Sequence, residues 1–89
     1  MIDCSHANSE KQYQRQIAVG EDVATQISAG DDRIIGVMLE SHLEEGRQDV
    51  QPGQTLRYGQ SITDACISFT DSVPLLEHLA AAVRKRRSN

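Results

Sequence analysis

The sequence predicts an α/β fold built on parallel strands, and two observations carry that expectation. Hydrophobic periodicity switches between about two and about 3.6 in regular order along the 89 residues. Three separate apolar runs each end on an imidazole or a carboxylate: residues 1–6 on His6, residues 34–40 on Glu40 and residues 61–64 on Asp64. In parallel α/β folds the loops at the carboxyl ends of the strands converge on a common mouth, where chemistry is done. His6, Glu40 and Asp64 are therefore a candidate divalent-metal site.

Residues 1–5 are short and apolar-leaning, as a buried strand is. Ser9 followed by Gln12 has the spacing of a capping box, which predicts a helix start there. Tyr13, Ile17, Gly20, Val23, Ala24 and Ile27 recur at three- and four-residue intervals and form one apolar stripe, with Lys11, Arg15, Glu21 and Asp22 off it. Gly30 supplies the left-handed residue that ends a helix. Residues 34–39 are apolar on both faces and rich in β-branched side chains, the pattern of a parallel strand covered on each side. Residues 41–60 turn polar and carry Gly46, Pro52, Gly53 and Gly59, a connection of the length found in functional loops. After Asp71 and Ser72, Pro74 marks the first turn of a second helix, with Leu75, Leu76, Leu79 and Val83 as its buried stripe. The basic run Arg84, Lys85, Arg86 and Arg87 closes that helix as a solvated end, complementing the carbonyl end of its dipole.

The resulting order is β-α-β-loop-α, with about 34 positions between His6 and Glu40, close to the repeat of a (β/α)8 barrel of ~250 residues. Two strands cannot close a barrel. Alternation along the strands puts Ile2, Cys4 and His6 on one face and Gly36, Met38 and Glu40 on one face, so that both prospective ligands point into a barrel mouth. Ile35, Val37 and Leu39 then face the surrounding helices.

Composition sets limits on this reading. Hydrophobic residues make up 38% of the chain and aromatics only 3%, so few large side chains are on hand for an independent core. A formal net charge of -4 argues against nucleic acid or an anionic membrane as the main partner. No apolar stretch approaches the ~20 residues of a membrane span. Two cysteines make no disulfide framework, and no signal-peptide pattern precedes the first apolar run; a soluble, cytoplasmic protein is expected.

Ile-Asp-Cys-Ser-His-Ala-Asn-Ser at 2–9, Ile-Ile-Gly-Val-Met-Leu-Glu-Ser-His-Leu at 34–43 and Tyr-Gly-Gln-Ser-Ile-Thr-Asp-Ala-Cys-Ile at 58–67 resemble the closing segments of 3-deoxy-D-arabino-heptulosonate 7-phosphate (DAHP) synthase, in its microbial short-chain type. The resemblance spans residues 1–89 but only about the last quarter of that enzyme. It implies a C-terminal fragment of one barrel domain, with strand 7, helix 7, strand 8, a long loop and helix 8. Met1 then matches an internal methionine or a start created by truncation. The implied activity is a transferase reaction of the shikimate pathway, condensing phosphoenolpyruvate with erythrose 4-phosphate and releasing phosphate.

By motif match His6 is an imidazole ligand, and Glu40 and Asp64 are carboxylate ligands, of a divalent ion: manganese, iron or zinc. The family completes the shell with a cysteine from an early strand and holds both phosphates with lysines and arginines from earlier loops. The resemblance therefore implies that the isolated chain lacks turnover and needs the preceding barrel segments, in an enzyme expected to be a homo-oligomer. Cys4 stands where many relatives carry an aromatic residue, and Phe69 where a tryptophan is common. Cys4 is expected to pack below the site as a small apolar residue.

Each of these residues also has a structural reading. His6 after a strand suits a hydrogen-bonded loop histidine, and Asp64 beside Ser and Thr suits a helix cap or an Asx turn. Glu40 is harder to dismiss, because an unpaired carboxylate at the end of an apolar strand is costly. Cys66 reads as a buried thiol, His42 as a loop residue and His78 as a helix-surface residue, none with an assigned role. Two further functions stay open at the sequence level: a non-catalytic metal-binding module, and a fragment that self-associates through unpaired strand edges.

Overall fold

The computed structural model describes residues 1–10 and 12–88. Lys11, expected off the apolar stripe, lies outside the described residues. The first apolar run forms β1 (Ile2–Asp3), which pairs in parallel with β2 (Val37–Met38) in the register Ile2 to Val37 and Asp3 to Met38. Flanking bonds extend the ladder: the Ile2 N–H donates to the Gly36 carbonyl and the Cys4 N–H to the Met38 carbonyl, both at 2.9 Å.

The helix does not begin at Ser9. A single 3-10 turn spans His6–Ser9, and Glu10 follows it in the left-handed conformation at φ +55°. That reversal ends the turn, so the capping box expected of Ser9 and Gln12 does not form. The Ser9 hydroxyl instead donates to the His6 carbonyl, and the Gln12 N–H to the Ser9 carbonyl. Helix α1 runs Arg15–Ser28. Its end is as expected: the Gly30 N–H reaches the Ile27 carbonyl and the Asp31 N–H the Gln26 carbonyl, with Gly30 at φ +107°, which is a Schellman closure.

The second apolar run is extended only in its later part. Ile34 is buried while Ile35 is 85% exposed, and Val37 and Leu39 pack on the core. Ile35 therefore does not face the helices as expected. Two residues separate the inward-facing Ile34 from Val37, so the simple alternation breaks across Ile35 and Gly36.

The polar connection is more ordered than a plain loop. It begins with β3 (Ser41–His42), which pairs in parallel with β4 (Ile67–Ser68), a strand absent from the sequence expectation. Isolated bridges join Gly46 to Cys66 and Arg47 to Ser61. Helix α2 then runs Phe69–Ser88, starting before Pro74, which lies inside it. The start follows from Ser68, whose hydroxyl accepts the Asp71 N–H at 3.1 Å, the bond of an N-cap.

The buried face of α2 is Ser72, Leu75, Leu79 and Ala82; Leu76, expected on that face, is 52% exposed. It lies one residue, about 100° of helix, past Leu75. With Val23, Ala24 and Ile27 of α1, Ile34 and Ile67, these apolar side chains form the core. Gly20 lets the helices meet: a Cβ there would stand 2.8 Å from a Leu75 methyl. Arg86 is not solvated as expected. Its guanidinium turns inward and donates to the carbonyls of Asp31 and Ile34, each at 2.9 Å. No helix among the described residues is long and apolar enough to cross a membrane.

Candidate metal centre

His6, Glu40 and Asp64 come together although they are far apart along the chain. One ligand atom from each lies within 4.8 Å of the others, and among the described residues this is the cluster of His, Cys, Asp and Glu side chains suited to a metal ion. The His6 Nε2 is 3.6 Å from the Glu40 Oε1 and 3.4 Å from the Asp64 Oδ2. For ligand bonds of ~2.1 Å, neighbouring donors around a tetrahedral ion are ~3.4 Å apart, close to both His6 separations.

Local bonding fixes each side chain. The Asp3 Oδ2 sits 2.9 Å from the His6 Nδ1, and the Asp3 Oδ1 accepts the Ser5 N–H at 2.8 Å. With Nδ1 engaged by Asp3, Nε2 is the ring nitrogen that faces Glu40 and Asp64. The Asp3 hydrogen bond, followed by the negative charge of Glu40, raises the His6 pKa above its ordinary value. Asp3 moves the opposite way, lowered chiefly by His6 and then by the Ser5 N–H.

Glu40 is held from two sides. Its Oε1 receives a hydrogen bond from the Ser5 hydroxyl. Its main chain is held by Gln16 of α1: the Glu40 N–H donates to the Gln16 Oε1 at 2.8 Å, and the Gln16 Nε2 donates to the Glu40 carbonyl at 3.0 Å. Asp64 follows a loop tied down by Arg47, whose Nε donates to the Thr63 carbonyl at 2.8 Å while its other arm pairs with Asp49 at 2.6 Å. Ser5, His6, Glu40, Arg47, Thr63, Asp64 and Ala65 line one open concavity of about 400 Å³.

Asp3, Gln16 and Arg47 were not among the sequence candidates. Gln16 left a signal, being a polar side chain at the spacing of the stripe that continues through Gly20, Val23 and Ile27. Cys4 is fully buried and Cys66 nearly so; both thiols are free, and burial pushes both pKa values up. The His42 Nδ1 accepts the Leu43 N–H. His78 is exposed on α2.

Residues 1–77 match the family described as the DAHP synthetase I family. The chain is 55% identical, over its whole length, to a tyrosine-inhibited phospho-2-dehydro-3-deoxyheptonate aldolase of Schizosaccharomyces pombe, of which it covers 25%. It is 58% identical over 98% of its length to a phospho-2-dehydro-3-deoxyheptonate aldolase of Haemophilus influenzae, covering 24% of that protein. A solved structure of the phospho-2-dehydro-3-deoxyheptonate aldolase of Francisella tularensis superposes with a TM-score of 0.88 at 48% identity, over 96% of this chain and 25% of that one. The chain thus spans about a quarter of the length of the relatives it matches.

Proposed function

We propose, from the premise that the chain belongs to the DAHP synthetase I family, that residues 1–89 are the C-terminal β-α-β-α portion of a (β/α)8 barrel and furnish three metal ligands of a DAHP synthase. In this assignment β1 continues strand 7, α1 is helix 7, the segment around β2 is strand 8 and α2 is helix 8. The whole enzyme condenses phosphoenolpyruvate with erythrose 4-phosphate in the cytoplasm, releases phosphate, and works as a homo-oligomer. The observation that carries the reading is the convergence of His6, Glu40 and Asp64 within 4.8 Å, the first two just past the carboxyl ends of the parallel strands β1 and β2 and the third on the loop before β4.

The donor set fits a divalent cation. One imidazole nitrogen and two carboxylate oxygens make a mixed shell suited to manganese, iron or zinc. When bound, the ion supplies Lewis acidity toward an aldehyde oxygen. The chain's own residues do the rest. Asp3 keeps the His6 proton on Nδ1, so Nε2 stays a donor of electrons. Glu40 and Asp64 bring negative charge to balance the cation. Arg47, anchored by Asp49 and the Thr63 carbonyl, holds the backbone from which Asp64 extends. The cysteine ligand and the phosphate-binding lysines and arginines of the family belong to the other three-quarters of the barrel.

Fragment complementation tests the proposal. The chain alone is expected to release no phosphate from phosphoenolpyruvate and erythrose 4-phosphate. Mixed with the preceding three-quarters of the Haemophilus influenzae relative, it is expected to restore release in the presence of Mn2+, and Glu40→Ala or His6→Ala to abolish it. Turnover by the isolated chain, or a folded complex in which Glu40→Ala is as active as the parent, overturns the reading.

A further inference from the structure

Among the described residues, Gln16 is the one fully buried polar side chain with both arms committed to a single residue, and that residue is Glu40. The position explains the need. Residues 37–38 are bonded to β1, and residues 41–42 to β4, so Glu40 stands where the chain leaves one ladder and joins the other. Its N–H is taken by the Gln16 Oε1, and its carbonyl accepts from both the Gln16 Nε2 and the Ile67 N–H at 3.0 Å. The side-chain amide thus supplies the donor and acceptor that a neighbouring strand would otherwise present. An apolar residue at 16 would leave the Glu40 N–H without that partner. It would also free the backbone that aims the Glu40 carboxylate toward His6 and Asp64.

We propose that Gln16 is a positioning residue for the metal centre, acting from α1 through the Glu40 main chain; this rests on Glu40 being a metal ligand, as proposed above. Fixing the peptide on both sides limits the arc through which the carboxylate swings, and ligand orientation of this kind is worth about 10- to 100-fold in metal affinity. The effect runs only through Glu40, which separates a positioning role from a packing role.

The test uses the 89-residue chain and Mn2+, with the free ion followed by electron paramagnetic resonance. Gln16→Met keeps the volume and removes both bonds. It is expected to weaken Mn2+ binding about 10- to 100-fold with an unchanged far-ultraviolet spectrum. In a Glu40→Ala background the same change is expected to cost no further affinity. Gln16→Glu, which keeps the acceptor and loses the donor, is the second variant and is expected to weaken binding as well. A folded variant that binds Mn2+ as the parent does, or an equal loss in both backgrounds, overturns the inference while leaving the metal centre standing. Failure of both variants to fold assigns Gln16 to the core alone and overturns it too. If the parent binds no Mn2+, or Glu40→Ala binds as well as the parent, the metal reading itself falls.

Discussion

His6 holds a backbone conformation that few side chains adopt, with φ +49° inside the 3-10 turn. Left-handed residues other than glycine cost of order 1 kcal/mol or more and persist where surrounding bonds over-determine them. Those bonds come from Asp3, which engages the His6 ring, the Ser5 N–H and, through its carbonyl, the Asn8 amide at 2.6 Å. The three candidate ligands were legible because each closes an apolar run. Their supports were not, because an aspartate inside a strand carries no mark of the imidazole it will orient. The raised His6 pKa has a definite sign. The charged pair contributes stability fully present below the unfolded value of ~6.5, and that contribution is lost as pH rises through the folded value. In Asp3→Ala the His6 ring of the metal-free chain is expected to titrate lower than in the parent, as read from its Hε1 proton resonance. An unchanged midpoint refutes the role given to Asp3.

At the scale of elements, alternating helix and strand, the stripe on α1 and its glycine stop were all readable from spacing. The starts of both helices were not. A left-handed Glu10 displaces the first from Ser9, and a Ser68 cap draws the second forward past Pro74. Neither signal is periodic: one is a single backbone reversal, and the other depends on β4, whose two residues are too few to show a pattern. The basic end of α2 misled in the same way, since charge pattern alone cannot tell a solvated arginine from one that seals a turn. Arg86 bonds two carbonyls of the α1–β2 connection, both from its Nη1. Arg86→Ala is expected to destabilise the chain by about 1–3 kcal/mol in urea unfolding. The corresponding change at exposed Arg84 serves as the control and is expected to be near neutral.

The whole molecule is long and thin. Its extents are 57 × 23 × 16 Å and its radius of gyration 15.1 Å, against ~12 Å for a compact domain of this length. The sequence offers few large apolar side chains for an independent core, and the structure adds where the apolar surface lies. Met1, Ile35, Leu43, Tyr58 and Phe69 are each more than half exposed, and each of β1 to β4 pairs with a single neighbour. Open ladders and exposed apolar groups are templates for association. Sedimentation of the isolated chain is expected to give a mass well above the 9.8 kDa of the monomer, and addition of the preceding three-quarters of a relative to convert it to assemblies of one-to-one stoichiometry. A compact monomer at micromolar concentration would count against the barrel-portion reading.

The spacing of His6, Glu40 and Asp64 along the chain, about 34 and then about 24 positions, has a thermodynamic corollary. An ion grasped by all three shuts two long loops at once, so it acts as a removable rivet whose worth grows with the chain entropy it withholds from the denatured ensemble. Chelation would then unfasten the fold, tying the lifetime of the polypeptide to the supply of such an ion.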